Sequence, residues 1–187
     1  MARTNARGAE RRAVILRAAV EVVADKGAGA LTHRAAAAAA GVSLASVTYH
    51  FPSSDDLRRA TLAHAAASVG PQFTASLHDG DCGADEFGAL IGRWREIGRS
   101  NRAAFVTLFS LLVEALHDPA LSGDVEALLE TPTSALVEVG VPQDMAEAVV
   151  SSLIGLALVT LARDAPEDAE SRFDRAMAAL FAGAERR

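Results

Sequence analysis

Apolar residues recur along this chain at helical spacing, and strand-type alternation is scarce. Val14, Ile15, Ala18, Ala19, Val22 and Val23 form one stripe that predicts a helix over about Glu10 to Lys26, ended by Gly27 and Gly29. From Leu31 to Leu57 the chain reads LTHRAAAAAAGVSLASVTYHFPSSDDL: two short helices about a tight turn at Gly41-Val42, an aromatic stop, and a third helix start. Thr32 and Ser43 carry the hydroxyls that N-caps use to accept an orphaned N–H. Arg34 to Ala40 sets six alanines behind one arginine, all strong helix formers, and Gly41 supplies the backbone freedom to leave that helix. Helices that cross steeply over a short turn need a small residue at the crossing, glycine in the turn and an apolar residue seated from the second helix. Ala37, Gly41 and Val47 fill those places at the spacing of a helix-turn-helix.

Ser53 caps a long third helix whose first turn holds Asp55 and Asp56, suited to the positive end of the helix dipole. Leu57, Thr61, His64, Ala65, Ser68 and Val69 share one face, and Gly70-Pro71 either kinks or ends the helix. His78 to Gly83 reads as a loop. Residues 85–117 predict one or two helices holding Trp94, Phe87, Leu90, Ile91, Phe105, Leu108, Phe109, Leu112 and Leu116, with a break over Arg99 to Arg102. Asp118-Pro119 opens a helix to about Glu130, which Thr131-Pro132 divides from a continuation to Val139. Pro142 starts an apolar helix that ends near Arg163, and an amphipathic one follows from about Pro166 to Ala182, with Phe173, Met177, Leu180 and Phe181 on one side. The fold class expected is all-α.

At 187 residues the chain can bury one large or two small cores. Its most lipid-like run, Val149 to Ala162, holds Ser151, Ser152 and Thr160 and falls short of the roughly 20 apolar residues a membrane span needs. A buried helix is expected there. The one cysteine, Cys82, excludes an internal disulfide framework, and no apolar leader region follows the basic start. The expected compartment is the cytoplasm.

Charge changes the picture only when divided. Residues 1–67 hold nine Lys and Arg against five Asp and Glu, a balance of +4; residues 68–187 hold nine against nineteen, or −10. A basic head on an acidic body suits an N-terminal part that meets a polyanion. Arg3 and Arg7 lie in an irregular-looking start, either an arm for DNA or a solvated tail.

Enzyme signals are poor: no Gly-rich phosphate loop, HExxH, paired cysteines or nucleophile elbow is present. No catalytic residue, cofactor or metal is therefore expected. Glu114 and His117 have the spacing of half a helical di-metal site, but no second copy appears. His78, Asp79, Asp81 and Cys82 read as a polar loop, since nothing fixes a metal geometry.

Thr48 to Leu57, TYHFPSSDDL, resembles the end of the recognition helix and the start of the next helix in the TetR family of transcriptional regulators. Gly41-Val42-Ser43 and the amphipathic helix from Arg12 to Gly27 share that resemblance, which covers about the first third of the chain. It implies a three-helix DNA-binding head over residues 1–54 and a ligand-binding and dimerisation body over residues 55–187. Residues Leu44 to His50 would enter the major groove. The DNA-binding set is then Arg7, Thr32, Arg34, Ser43, Leu44, Ala45, Ser46, Thr48, Tyr49 and His50, with Tyr49, His50 and Thr32 on phosphates. For Tyr49 a packed aromatic with a wet hydroxyl is the competing reading. Leu44, Ala45, Ser46 and Thr48 include none of the side chains that grip bases bidentately, so thymine-methyl contacts, hydroxyls and DNA shape would carry readout. One departure stands out: Ser54 takes the place of the family's usual lysine, which commonly contacts a phosphate.

The resemblance further implies a homodimer formed by the last two helices, a roughly palindromic operator, and a small-molecule effector that releases it. Trp94, Phe105 and Phe109 are candidates to line the effector pocket, or are simply core. The low aromatic content and few buried-looking charges favour an apolar effector. The alternative is a ligand-binding helical dimer with weak or no DNA binding.

Overall fold

The computed structural model describes residues 2–78, 86–118 and 121–162, and no strand occurs among the described residues. The helices are α1 (Ala2–Lys26), α2 (His33–Ala40), α3 (Leu44–His50), α4 (Ser54–His78), α5 (Glu86–Ser100), α6 (Arg102–Ala115), α7 (Ser122–Glu138) and α8 (Gln143–Leu161), with a 3-10 turn at Ala28–Ala30. The all-helical expectation holds.

Two boundaries differ from the sequence expectation, and one left open, at Pro71, is decided. The start expected to be irregular is the first two turns of α1, rich in alanine and arginine and free of proline. The buried stripe of α1 is also rotated: Leu16 and Val20 join Ile15, Ala19, Val22 and Val23 in the core, while Val14 and Ala18 sit at its margin. Pro71 neither ends α4 nor does Pro132 divide α7. A mid-helix proline removes one N–H rung, and Val69, Phe73, Thr133, Ala135 and Leu136 are buried on either side of these two and hold the helix in place. Asn101 does separate α5 from α6, as its flanking arginines suggested. The helix expected over Pro166 to Ala182, the loop from Asp79 to Gly83, and the Pro119 helix start lie outside the described residues.

The chain forms two compact units, Met1–Val69 with Ala103–Leu128, and Gly70–Arg102 with Leu129–Arg187. Both long helices that pass between units lack a rung at the crossing: Pro71 would have paired with Ala67, and Pro132 with Leu128.

In the first unit α1 packs on α2 and α3. Leu57, Thr61 and Leu62 of α4 are buried, as are Phe105, Thr107 and Leu111 of α6. The Thr107 hydroxyl donates to the Val20 carbonyl at 3.0 Å and so ties α6 to the middle of α1. The second unit is built on α8, whose Ala146, Val149, Val150, Leu153 and Leu156 enclose Phe73 and Leu136. Trp94 of α5 packs against this cluster, edge-on to Phe73 at 5.4 Å between ring centroids, and its indole N–H donates to the Leu153 carbonyl at 2.9 Å. No helix among the described residues is long and apolar enough to cross a membrane.

Candidate nucleic-acid interface

Each end of α2 is closed by its own sequence. Thr32 is extended, and its hydroxyl oxygen accepts the Ala35 N–H at 3.1 Å. Gly41 turns into the left-handed region (φ 63°, ψ 36°), which lets its N–H reach the Ala38 carbonyl and the Val42 N–H reach the Ala37 carbonyl. Ser43 then starts α3 by accepting the Ser46 N–H at 3.2 Å. The turn is therefore specified residue by residue.

With only seven residues, α3 has two clearly different faces. Val47 is fully buried beside the buried Ala36 and Ala37 of α2. The other face presents Leu44, 43% exposed, and Tyr49, 82% exposed, together with exposed Ala45 and Thr48. Ser46 and His50 are half-buried, and His50 lies edge-on to the Tyr49 ring at 5.2 Å. Tyr49 is thus no packed aromatic. The Thr48 hydroxyl donates back to the Leu44 and Ala45 carbonyls, both at 3.2 Å, leaving its lone pairs and methyl group for outside contacts. Arg7, Thr32, Arg34 and Ser43 are exposed, and Ser54 is exposed as the first residue of α4.

Where α3 stops, three elements converge. Phe51 is extended (φ −138°, ψ 90°) and 1% exposed. The Arg12 guanidinium of α1 lies over its ring at 5.1 Å from the centroid, and the His33 Nε2 of α2 is 2.7 Å from its carbonyl oxygen. Two residues later Ser53 and Asp56 form a reciprocal cap: the Asp56 N–H donates to the Ser53 hydroxyl, and the Asp56 carboxylate accepts the Ser53 hydroxyl and N–H. Those two donors hold the Asp56 carboxyl below its usual value. The roles of His33 and Arg12 could not be read from sequence, because their contacts span 18 and 39 positions and follow from the crossing of helices.

The head's basic excess is not all free. Arg58 faces Asp55 at 3.2 Å, Asp118 at 3.7 Å and Glu114 at 3.8 Å, and Arg59 faces Asp124 at 3.2 Å. Glu114 is thus committed to an arginine, while His117 is exposed. Of the candidate effector residues, Phe105 is fully buried with Phe109 beside it at 6.1 Å in the first unit, whereas Trp94 belongs to the second.

The family model described as "Bacterial regulatory proteins, tetR family" matches residues 15–61, from the buried stripe of α1 to the first turns of α4. Among solved structures, a member of the TetR family (SCO1917) from Streptomyces coelicolor A3 is 32% identical, with a TM-score of 0.73 over 91% of this chain and 97% of that one. The chain belongs to the TetR family. The multidrug binding protein EbrR in complex with imidazole is 34% identical, with a TM-score of 0.71 over 89% of each chain, and EbrR is also solved with proflavin, ethidium and malachite green. A transcriptional regulator from Rhodococcus sp. Rha1, 21% identical with a TM-score of 0.75, shares the fold. No curated protein matches the chain. This TetR-family transcription regulator carries its helix-turn-helix in α2 and α3, braced by α1.

Proposed function

We propose that this protein is a cytoplasmic repressor that binds a roughly palindromic operator as a homodimer and leaves it when a small organic molecule binds the C-terminal body. The observation that carries the reading is the outward face of α3. A tyrosine 82% exposed stands on a helix whose opposite face is fully buried, and nothing in the packing of the head accounts for it. Aromatic hydroxyls, helix starts and arginines are the groups that hold a DNA backbone in register. Tyr49 and His50 would meet phosphates at one end of α3, with Thr32, Arg7 and Arg34 around them. Leu44, Ala45, Ser43, Ser46 and Thr48 would face base edges, reading thymine methyls and groove shape.

Binding of the purified protein to its own upstream DNA, followed by fluorescence anisotropy across a salt series, tests this directly. Affinity should fall steeply as salt rises, and Tyr49→Ala with His50→Ala should weaken it throughout. Binding that is absent, or flat with salt, would favour a ligand-binding dimer with a silent head, the reading that Ser54 in place of lysine supports. If Ser46→Ala alone abolished discrimination at one G·C pair, readout through methyls and shape would be wrong.

The effector reading draws on EbrR, a relative of about one-third identity solved with several small organic compounds. Phe105 and Phe109 in the first unit and Trp94 in the second are separate candidates to meet the effector, and Trp94 is the chain's one tryptophan and hence a built-in reporter. Proflavin and ethidium should be titrated without DNA, because both intercalate. Saturable quenching of Trp94 is expected, and no change in its emission would count against the site.

A further inference from the structure

The hydrogen bond between His33 and Phe51 joins the two far ends of the helical hairpin. α2 and α3 meet at the turn that Gly41 closes, and the hydrogen bonds of that turn hold only the near ends of the two helices. A third fixed length closes the triangle, and the 2.7 Å contact from the first residue of α2 to the residue just past α3 supplies it. The chemistry of that end makes the contact necessary. α3 ends in an extended phenylalanine whose N–H donates to the Val47 carbonyl at 2.8 Å, while its own carbonyl lies beyond the helix's ladder. Phe51 is 1% exposed, so its carbonyl is shut away from water and needs a donor. A carbonyl only accepts, so the His33 Nε2 must carry the proton.

We propose that His33 is a positioning residue for operator recognition: by donating Nε2–H to the Phe51 carbonyl it fixes the angle at which α3 and Tyr49 are presented to DNA. This rests on the DNA-binding reading above. His33 itself touches no DNA in this role; it acts through α3. Recognition surfaces lose function when their elements move by about half an ångström, and a lost clasp frees the far end of α3 on that scale. Nonspecific binding, which depends on the number of phosphates neutralised and little on helix angle, should be nearly indifferent to it.

The experiment compares the parent, His33→Leu and His33→Gln on two duplexes. One is an operator that the parent selects from a random-sequence duplex library, and the other is a scrambled duplex of equal length. Leucine removes the donor, whereas the amide nitrogen of glutamine can stand where Nε2 stood. The leucine variant should lose about tenfold in operator affinity, the scale of one lost hydrogen bond. Its affinity for the scrambled duplex should change less than about twofold, and glutamine should restore the operator to within about threefold of the parent. Unchanged operator binding by the leucine variant, equal losses on both duplexes, or glutamine as impaired as leucine would each overturn the role. Ring-nitrogen NMR of His33 in the parent supplies a check that does not depend on a variant folding. A protonated Nε2 is expected, and an Nε2 without its proton overturns the proposal. A parent that selects no duplex at all overturns the DNA-binding reading itself, and this role with it.

Discussion

At Gly41 the head depends on a single dihedral. A Cβ there would meet nothing within 4 Å, so the only penalty for a side chain is the left-handed backbone at φ 63°. Gly41→Ala should therefore cost about 1–2 kcal/mol in urea unfolding, and Gly41→Asn less, since asparagine tolerates that region. His64 gives a prediction in pH. Burial, followed by the nearby guanidinium groups of Arg17 and Arg12, lowers its pKa from the ordinary 6.5. Above pH 6.5 it is neutral both folded and unfolded and contributes no pH dependence. As pH falls below 6.5 the unfolded chain takes up a proton that the folded protein resists, so stability is lost until the folded pKa is passed. His64→Gln should flatten that limb, read as a smaller drop in urea midpoint between pH 7.5 and 5.5 than the parent shows. The residues that sequence made legible, Thr32, Gly41 and Ser43, act on neighbours three or four positions away. His33 acts across 18, and no local pattern records such a bond.

At the scale of the helix, what the sequence hid is what packing decides. Alanines and prolines gave α2 its length and α8 its start, because propensity alone settles those points. Pro132 suggested a division of α7, but Thr133, Ala135 and Leu136 are buried just beyond it, and their burial outweighs the lost rung. Thr107 is a similar case, a polar residue on an apolar helix that the pattern would place at the surface. It is fully buried, and its hydroxyl is spent on the Val20 carbonyl of α1. Thr107→Val keeps the shape and removes that bond, so a loss of about 1 kcal/mol is expected in chemical unfolding. Amide exchange should quicken in α1 around Val20 more than in α8. Uniform quickening across both helices would show that the bond contributes only to global stability and does not seat α1.

For the whole molecule the proposed function poses the question of how a protein of net charge −6 would hold a polyanion. Charges more than about 8 Å from the phosphates are screened at physiological salt, so the acidic body counts for little and the few basic groups near the duplex count for nearly everything. Arg58 and Arg59 face carboxylates, so on the proposed function exposed residues such as Arg34 and Arg7 would meet the phosphates. Each phosphate neutralised adds about −0.9 to the slope of log affinity against log salt. That slope also counts copies. In a homodimer with both heads on one operator, Arg34 stands on the duplex twice, so Arg34→Ala should make the slope shallower by about 1.8; a single bound head would change it by about 0.9. Sedimentation of the complex gives the number of protomers independently. A change near 0.9 with two protomers bound would mean that only one head engages, and no change would remove Arg34 from the backbone contacts. The homodimeric repressor requires the larger change together with two protomers per duplex.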